Sequence, residues 1–450
     1  MASTRIYRTM GSPTNDKIWT ISGWFKLSKS SGHLLFASDA NNNTGWTQIT
    51  FSSDRLHISA YDTAWLTTNR VFRDRNAWYH IVITQDSTQS TAADRIKLYV
   101  NGVQETSFAT DNRASTSLNQ SWGWNKNGVV NNIGGENASG YGDFLLSHFH
   151  NIDGTAYDAS AFGETDSTTG EWKIKTSPSV TYGNNGFFWL KDSVATTDHS
   201  PNSNTFTIGG TLTKTEDCPD NIFATLNPDD TADGTAFGLA HGNTSLMSNG
   251  GSGDYGLRST LGANKGKYYM ETKLPNYGGG AGGNTMAIAD MSVRLQINMN
   301  GGSPRAGTWG IQRYNDSSTN IYTNGSFGSQ NTAMWGGFTT SDVICIALDC
   351  DNGKIFFGKN GVFKDTSGNT GDPAAGTNPT FSGLDTTKYY GFFTENRTNL
   401  DNGTAVNFGN GYFGTTAVSS AGTNASNIGI FEYDVPAGFT ALSTKGLNSF

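Results

Sequence analysis

The sequence contains few cysteines, few prolines and few charged residues. Its 450 residues include 3 Cys and 10 Pro, and charged residues make up 15% of the chain. The three cysteines, Cys218, Cys345 and Cys350, are too few for a disulfide framework. Cys345 and Cys350 lie five residues apart in a predicted strand, so their side chains should point to opposite faces, which disfavours a bond between them. The chain is therefore expected to be made in a reducing cytoplasm.

Long apolar runs and basic stretches are also lacking. No run of about 18 apolar residues is present, so no membrane-spanning helix is predicted. Residues 1–17 contain no apolar segment that could serve as a signal peptide. The net charge is −8, and no stretch is rich in Lys or Arg. A surface that neutralises nucleic-acid phosphates is therefore not expected.

Glycine and aromatic residues are abundant. The chain has 56 Gly, 26 Phe and 11 Trp, and aromatics make up 12% of it. Together with many Asn, Ser and Thr, this composition is typical of an all-β protein with many tight turns. At roughly 150 residues per domain, the length predicts two or three domains.

Strand and hairpin signals recur in both halves of the chain. Residues 77–84 alternate, which predicts Tyr79, Ile81 and Ile83 on one face and Trp78, His80 and Val82 on the other. Asn101-Gly102 and Asn360-Gly361 each separate two alternating runs, and such pairs favour type I′ hairpin turns. No long amphipathic helix is predicted, and residues 158–163 could form only a short helical turn. The pattern indicates sandwiches or barrels.

The first half resembles a known class of sandwich. Residues 18–27 (IWTISGWFKL), 78–82 (WYHIV) and 96–103 (IKLYVNGV) resemble core strands of the laminin-G/pentraxin class of concanavalin-A-like lectins. This resemblance covers residues 1–192. It implies a jelly-roll domain of lectin type.

Five further segments resemble a signature of bacteriophage structural proteins that carry this domain. They are residues 144–154, 162–166, 170–175, 182–190 and 224–228. The resemblance implies a protein of the virion surface, made in the host cytoplasm and then assembled into the particle. Other virion proteins are the implied partners, and a homo-oligomer is expected because phage appendages usually are.

The second half resembles a SPRY domain, which is also a concanavalin-A-like sandwich. The resemblance rests on residues 257–260, 266–272 and 342–349, and most specifically on residues 352–361 (NGKIFFGKNG), with 435–442 at its end.

The predicted fold class is therefore all-β, with two concanavalin-A-like antiparallel β-sandwich (jelly-roll) domains. The expected boundaries are 1–192 for the lectin-type sandwich and 228–450 for the SPRY-like sandwich. Residues 193–227 lack periodicity and are expected to form a loop-rich connector.

No constellation of residues predicts catalysis. Glucanases of this superfamily place carboxylates on one strand as Glu-x-Asp-x-x-Glu, and the nearest imitation, Glu164-Thr-Asp166, lacks the third acid. The histidines are scattered, without a Gly-x-Ser-x-Gly elbow. His148 and His150 could share a face and hold a metal, but a polar, solvent-facing side with Phe149 inward is the better interpretation. We therefore expect no enzyme activity.

Glycan binding is the function that the residues favour. Aromatic platforms hold sugars, with amide and hydroxyl groups around them. The candidate residues lie in or beside polar loops and are Trp46, Trp65, Trp122, Trp124 and Asn125 in the first half and Trp309, Tyr314, Tyr322 and Trp335 in the second. The alternative for each is packing within the fold. Trp19, Trp24, Trp78 and Trp189 lie in apolar strands and are assigned to the cores.

No cofactor is expected, with calcium as the one alternative. Asp39, Asn41 and Asn43 place oxygen atoms at alternate positions, as at the start of a calcium loop, but a bidentate Glu is lacking. An Asn-rich turn is the favoured interpretation.

Three functions follow from these observations. The main hypothesis is a phage adhesin, a tail fibre or appendage that binds host surface polysaccharide. The second is a capsid decoration or knob protein, favoured because the chain starts almost directly in the first sandwich. The third is a polysaccharide depolymerase.

Overall fold

Two compact units make up the computed structural model, Met1–Lys214 (unit 1) and Thr215–Phe450 (unit 2). The structure describes residues 4–39, 42–60, 63–136, 139–190, 197–231, 238–247, 254–275, 284–294, 306–313, 317–397 and 403–450.

Unit 1 contains two main antiparallel sheets. Its described strands are β1 (Arg5–Thr9), β2 (Ile18–Leu27), β3 (Gly32–Asp39), β4 (Asn42–Ser52), β5 (Arg55–Ala60), β6 (Thr63–Thr68), β7 (Trp78–Asp86), β8 (Ile96–Val100), β9 (Val103–Gln104), β10 (Phe108–Asp111), β11 (Val130–Ile133), β12 (Phe144–Asp153), β13 (Gly163–Thr165), β14 (Trp172–Ile174), β15 (Phe187–Trp189) and β16 (Thr207–Gly209). One sheet has eight strands in the order β10-β6-β5-β4-β3-β11-β1-β16, and the other has six in the order β15-β12-β2-β7-β8-β9. Short 3-10 turns cover Ala92–Asp94, Arg113–Ser115 and Ala159–Ala161.

The core of unit 1 lies between these two sheets. Strand alternation sends Ile49 and Phe51 of β4 inward from one sheet, and Ile81 and Ile83 of β7 inward from the other. Val82 of β7 belongs to a second cluster on the opposite face of the six-stranded sheet. The alternation predicted for residues 77–84 is therefore confirmed.

That second cluster lies beneath the segment that follows β12. The hairpin of β13 and β14 brings Trp172 over the side of the six-stranded sheet that is turned away from the core, where Phe162 and Ile152 are also buried. The chain itself thus covers this side of the six-stranded sheet. The short helical turn predicted within residues 158–163 is present as Ala159–Ala161.

Unit 2 is also built from two main sheets. Its described strands are β17 (Leu226–Thr231), β18 (Gly238–Ala240), β19 (Ser245–Met247), β20 (Asp254–Ser259), β21 (Lys267–Lys273), β22 (Asn284–Asp290), β23 (Thr308–Arg313), β24 (Thr319–Thr323), β25 (Ser326–Asn331), β26 (Val343–Asp349), β27 (Lys354–Lys359), β28 (Val362–Lys364), β29 (Phe381–Ser382), β30 (Tyr390–Arg397), β31 (Thr404–Asn407), β32 (Tyr412–Phe413), β33 (Thr416–Ala417) and β34 (Thr440–Ala441), and its one described α-helix is α1 (Thr444–Leu447). A seven-stranded sheet runs β17-β20-β30-β22-β23-β24-β25, and a nine-stranded sheet is built on β18-β19-β31-β21-β26-β27-β28, with β29 and β34 at its side.

The core of unit 2 separates these sheets, and a further cluster lies behind the nine-stranded one. Ile344 and Ile346 of β26 face the inter-sheet core, whereas Cys345 faces the further cluster. Cys350 lies in the inter-sheet core. The two cysteines are therefore on opposite sides of the sheet, as their spacing predicts. An all-β fold with antiparallel sandwiches is confirmed.

The boundary between the units differs from the expected one. Each unit includes part of the predicted connector, residues 193–227. Strand β16 pairs with β1 in the eight-stranded sheet, and Ala224 and Leu226 belong to the core of unit 2. The sequence pattern did not predict these strands, because each is short and pairs with its neighbour over only a few residues. Among the described residues, no helix has the length and apolarity needed to cross a membrane.

Both predicted Asn-Gly turns have the backbone that a type I′ hairpin requires. Asn101 and Gly102 have φ of 47° and 81°, and Asn360 and Gly361 have φ of 52° and 78°. At Gly102, an added Cβ would lie 2.4 Å from the Trp172 ring, whereas at Gly128 (φ 78°) nothing lies within 4 Å.

Gly102→Ala should therefore destabilise unit 1 more than Gly128→Ala. The control substitution imposes only the left-handed backbone cost of about 1–2 kcal/mol. The Gly102 substitution adds overpacking against Trp172, which costs typically about 1–3 kcal/mol more. Urea unfolding followed by tryptophan fluorescence measures both, since nine of the eleven tryptophans lie in unit 1. Equal losses for the two variants would contradict the placement of Trp172 on this turn.

Candidate functional site

Three of the predicted platform tryptophans of unit 1 lie in its core. Trp65, Trp122 and Trp124 are 5%, 2% and 1% exposed. The rings of Trp65 and Trp122 stack with centroids 3.7 Å apart, and Trp19 meets Trp122 edge to face at 6.2 Å. The expectation of an exposed platform is corrected for these residues, because Trp65 and Trp122 are covered by other rings and Trp124 is buried with its Nε1 bonded to Asn151 Oδ1.

Asn125 is likewise a structural residue. It is fully buried and its φ is 61°. Its Oδ1 accepts a 2.8 Å hydrogen bond from Asn151 Nδ2, and the Oδ1 of Asn151 accepts another of 2.8 Å from Trp124 Nε1. The backbone N–H of Asn125 donates to Asn131 Oδ1 at 3.0 Å. A buried amide network of this kind leaves these groups no capacity for a ligand, which corrects the prediction for Asn125.

The predicted aromatics of unit 2 are divided between core and surface. Trp309 is 5% exposed and meets Tyr390 edge to face in the core. Tyr322 is fully buried and donates a 2.8 Å hydrogen bond to Gln312 Oε1, so the platform prediction is corrected for both. Trp335 is half-buried, and its Nε1 donates to the Val362 carbonyl at 3.2 Å. Tyr314 lies outside the described residues.

The calcium hypothesis also falls outside the described part of the chain. Asn41 and the side chains of Asp39 and Asn43 lie outside the part of the chain that the structure describes. Within the described ranges, no group of three or more His, Cys, Asp or Glu side chains is placed to hold a metal ion.

Trp46 lies in a different setting from the buried tryptophans. It is half-buried on β4. Since Ile49 and Phe51 of the same strand point into the core, Trp46, Gln48 and Thr50 point away from it. We call this side of the eight-stranded sheet, turned away from the core, the outer face.

Strand register aligns polar and aromatic side chains in rows across the outer face. The middle row runs over five strands and consists of Tyr7, Asn132, Phe36, Gln48 and Ser59. The next row contains His33, Thr50, His57 and Thr67. Neither hydrophobic cluster of the described residues of unit 1 lies on this face.

Contacts within the sheet fix several of these side chains. Trp46 meets Phe36 edge to face at 5.6 Å, and Phe36 meets His33 at 5.7 Å. His57 Nε2 contacts the Ser52 carbonyl at 3.3 Å, so Nε2 carries the proton and the Thr67 hydroxyl donates to Nδ1 at 3.1 Å. Trp46, His33 and His57 are half-buried, whereas Phe36 and Thr67 are buried beneath their neighbours.

The outer face therefore combines an aromatic ring with amide, hydroxyl and imidazole groups. Such a surface suits a ligand that has both C–H faces and hydroxyl groups, because the ring covers the apolar face and the polar groups exchange hydrogen bonds. Sequence reasoning found only Trp46 of this set. The alternation of residues 46–51 (WTQITF) carried the missing signal, since it predicts Trp46, Gln48 and Thr50 on one face.

The covered face of the six-stranded sheet holds two buried histidines. Trp172 Nε1 donates to His80 Nδ1 at 2.9 Å, so His80 Nε2 donates to Ser22 Oγ at 2.8 Å. A histidine that donates to a serine hydroxyl does not activate it as a nucleophile. Burial lowers the pKa of His80 to about 3, which keeps the ring neutral.

His150 is buried close to it. Its Nδ1 lies 3.0 Å from the Tyr182 hydroxyl, and its ring stacks on Phe188. Burial lowers the pKa of His150 well below its usual value, and His148 acts in the same direction. The expectation that this strand turns its histidines to solvent is therefore wrong for His150, since the segment after β12 covers it. Phe149 faces inward as predicted.

Asp166 of the pair Glu164 and Asp166 is held in its ionised form. Lys173 Nζ lies 3.0 Å from Asp166 and 4.0 Å from Glu164. The hydrogen bond from Lys173 lowers the pKa of Asp166 to about 2. A general acid in a glycosidase needs a raised pKa, so this carboxylate does not fit that role.

Comparison with known proteins agrees with the resemblance of unit 1. Residues 6–145 match the family model described as the concanavalin A-like lectin/glucanases superfamily. The lectin-type resemblance is thus confirmed over a shorter stretch than 1–192. No protein in the curated set matches the chain.

Among solved structures, the chain is similar to SPRY domains. The SPRY domain of human HERC1 shares 19% identity at a TM-score of 0.31, covering 40% of this chain and 96% of that one. The TRIM65 PSpry domain shares 11% at 0.28, covering 41% and 89%. Stonustoxin shares 14% at 0.29, covering 41% of this chain and 28% of its own.

Trp122→Ala should act on stability. Removing a fully buried tryptophan leaves a cavity beside Trp65 and Trp19, with an expected loss of about 3–5 kcal/mol. Trp46→Ala removes a half-buried ring and should cost well below that. Chemical denaturation of both variants tests the difference, and a Trp122→Ala protein as stable as the parent would contradict its placement in the core.

Unit 1 should lose stability as the pH falls below about 6.5. The unfolded chain binds a proton at His80 near that pH, whereas the folded chain excludes it until about pH 3. The stability is therefore fully present above about pH 6.5 and declines by about 1.4 kcal/mol per pH unit for each such histidine. Urea unfolding at pH 7.5 and pH 5 should show a smaller difference in His80→Gln than in the parent. An equal difference would mean that His80 is not buried in its neutral form.

Proposed function

We propose that this chain is a non-enzymatic adhesin on the surface of a phage particle, and that unit 1 binds host saccharide on its outer face. The observation that carries the binding proposal is the alternation of β4, which sets Trp46, Gln48 and Thr50 on a face where neither hydrophobic cluster of the described residues of unit 1 lies. The match of residues 6–145 to a lectin/glucanase superfamily supports it.

The virion part of the proposal is supported by sequence resemblance. Residues 144–154 and 182–190 resemble a signature of phage structural proteins. In the structure these segments form β12 and β15, which pair with each other in the six-stranded sheet of unit 1.

The non-enzymatic part is supported by the side chains that could have served as catalysts. Asp166 is held ionised by Lys173, and His80 donates to Ser22 rather than accepting from it. If the chain were a depolymerase, incubation with host polysaccharide would release reducing ends, and we expect none.

Trp46→Ala should weaken saccharide binding without unfolding the protein. Loss of a stacking ring removes on the order of 0.5–1.5 kcal/mol beyond its buried area, so we expect at least about a tenfold loss in affinity. Binding of the purified chain to host surface polysaccharide, measured by biolayer interferometry, is the readout. Trp335→Ala, a half-buried tryptophan of unit 2, is the matched control and should bind like the parent. Unchanged binding by Trp46→Ala would remove the outer face from the proposal.

Immunogold labelling of purified particles with antibody against the chain tests its place on the virion. Gold at the tail or its fibres is expected for an adhesin. Gold distributed over the head would instead favour the capsid decoration hypothesis, in which the outer face would contact the shell. Particles without label would contradict both.

A further inference from the structure

Two arginines, Arg5 and Arg55, place positive charge on the outer face. Arg5 shares the face with Tyr7, two residues along β1, and Arg55 pairs with Ser52 at the end of β4 and β5. His33 and His57 lie in one row, on either side of Thr50. Both arginines are positive, although the chain as a whole carries a net charge of −8.

Neither arginine is neutralised by its neighbours. Arg5 donates to Asn132 Oδ1 at 2.8 Å and lies over the Tyr7 ring at 4.3 Å. Arg55 donates to the Thr68 carbonyl at 2.6 Å and to Asn69 Oδ1 at 3.4 Å. All of these partners are neutral, so both guanidinium charges remain available to an anion.

The carboxylate next to Arg55 in sequence is already paired elsewhere. Asp54 forms ion pairs with Arg75, which is buried, and with Arg73 at 3.4 Å. The turn at residues 53–54 therefore does not offset the positive charge of Arg55.

We infer that the ligand of the outer face is an acidic oligosaccharide. Its sugar rings stack at Trp46, and its anionic groups bind at the end of the face where Arg55 lies. This inference rests on the proposed saccharide binding and adds the class of saccharide. A guanidinium binds carboxylate or sulfate through paired hydrogen bonds, which neutral sugars cannot match.

The spacing of these groups requires an oligosaccharide. Ser52, which pairs with Arg55, is six residues from Trp46 along β4. At about 3.3 Å per residue, the aromatic end and the basic end are about 20 Å apart. A single sugar cannot occupy both.

An array of neutral and acidic microbial polysaccharides, probed with the full chain, tests the inference. We expect binding to acidic polysaccharides only, and a loss of at least about tenfold when their carboxyl groups are reduced to alcohols. Retained binding after carboxyl reduction, with loss on desulfation, would assign the anion as sulfate. Binding should also weaken as NaCl rises from 0.05 to 0.5 M, concentrations chosen because surface charges are screened over this range.

Substitutions at Arg55 distinguish an effect of its charge on binding from an effect on folding. Arg55→Gln should lose binding about tenfold or more, while Arg55→Lys, which keeps the charge, should recover part of it and should share the stability of the parent. Lys175→Gln makes the same change of charge at a residue that donates to the Ser160 carbonyl, near the covered face, and should leave binding unchanged.

The outcomes distinguish this inference from the function it rests on. Binding to neutral saccharides that depends on Trp46 but not on Arg55 would overturn the acidic ligand and leave the adhesin proposal standing. Binding to no saccharide would overturn both. Binding to nucleic acid alone, with the same dependence on Arg55, would overturn the inference and assign the basic end to phosphate.

Discussion

The packing of tryptophan against tryptophan between the two sheets of unit 1 determines which surfaces remain for binding. Trp65 stacks on Trp122, and Trp19 closes the same group from its edge. Burying such large rings supplies much of the hydrophobic stabilisation of a sandwich. Because these rings are buried in the core, a binding surface of these sheets can lie only on the side of the strands that faces away from the core.

The two sheets of unit 1 use that side differently. The six-stranded sheet covers its outer side with the segment after β12, and Trp172 donates to a buried, neutral His80 there. The eight-stranded sheet keeps half-buried polar groups around Trp46 on its outer face. This asymmetry is the reason why the proposed saccharide site lies on the eight-stranded sheet. It also explains why His80 and His150 are buried while His33 and His57 of the other sheet remain half-buried.

Local patterns in the sequence predicted much of the fold and little of the site. Alternation predicted both faces of residues 77–84, the Asn-Gly pairs predicted their turns, and the spacing of Cys345 and Cys350 predicted opposite faces. These features depend on neighbours in sequence, so single-sequence reasoning reaches them. The boundary of the units was missed because β16 pairs with β1, about two hundred residues away, and no local pattern records such pairing.

The site was missed for a related reason. Trp122 and Trp124 lie among Gly, Ser and Asn, which is typical of exposed loops, yet long-range contacts with Trp65 and Asn151 bury them. Conversely, Tyr7, Phe36 and Gln48 come from three separate strands, and only the register places them in one row. Composition indicated the kind of chemistry, while topology decided which residues supply it.

The crystal structure of the chain with an oligosaccharide fragment of the host surface polysaccharide tests the central claim most directly. We expect sugar density on the outer face of unit 1, with a ring against Trp46 and polar contacts to Gln48 or Thr50. Density confined to unit 2, or to loops away from this sheet, would contradict it.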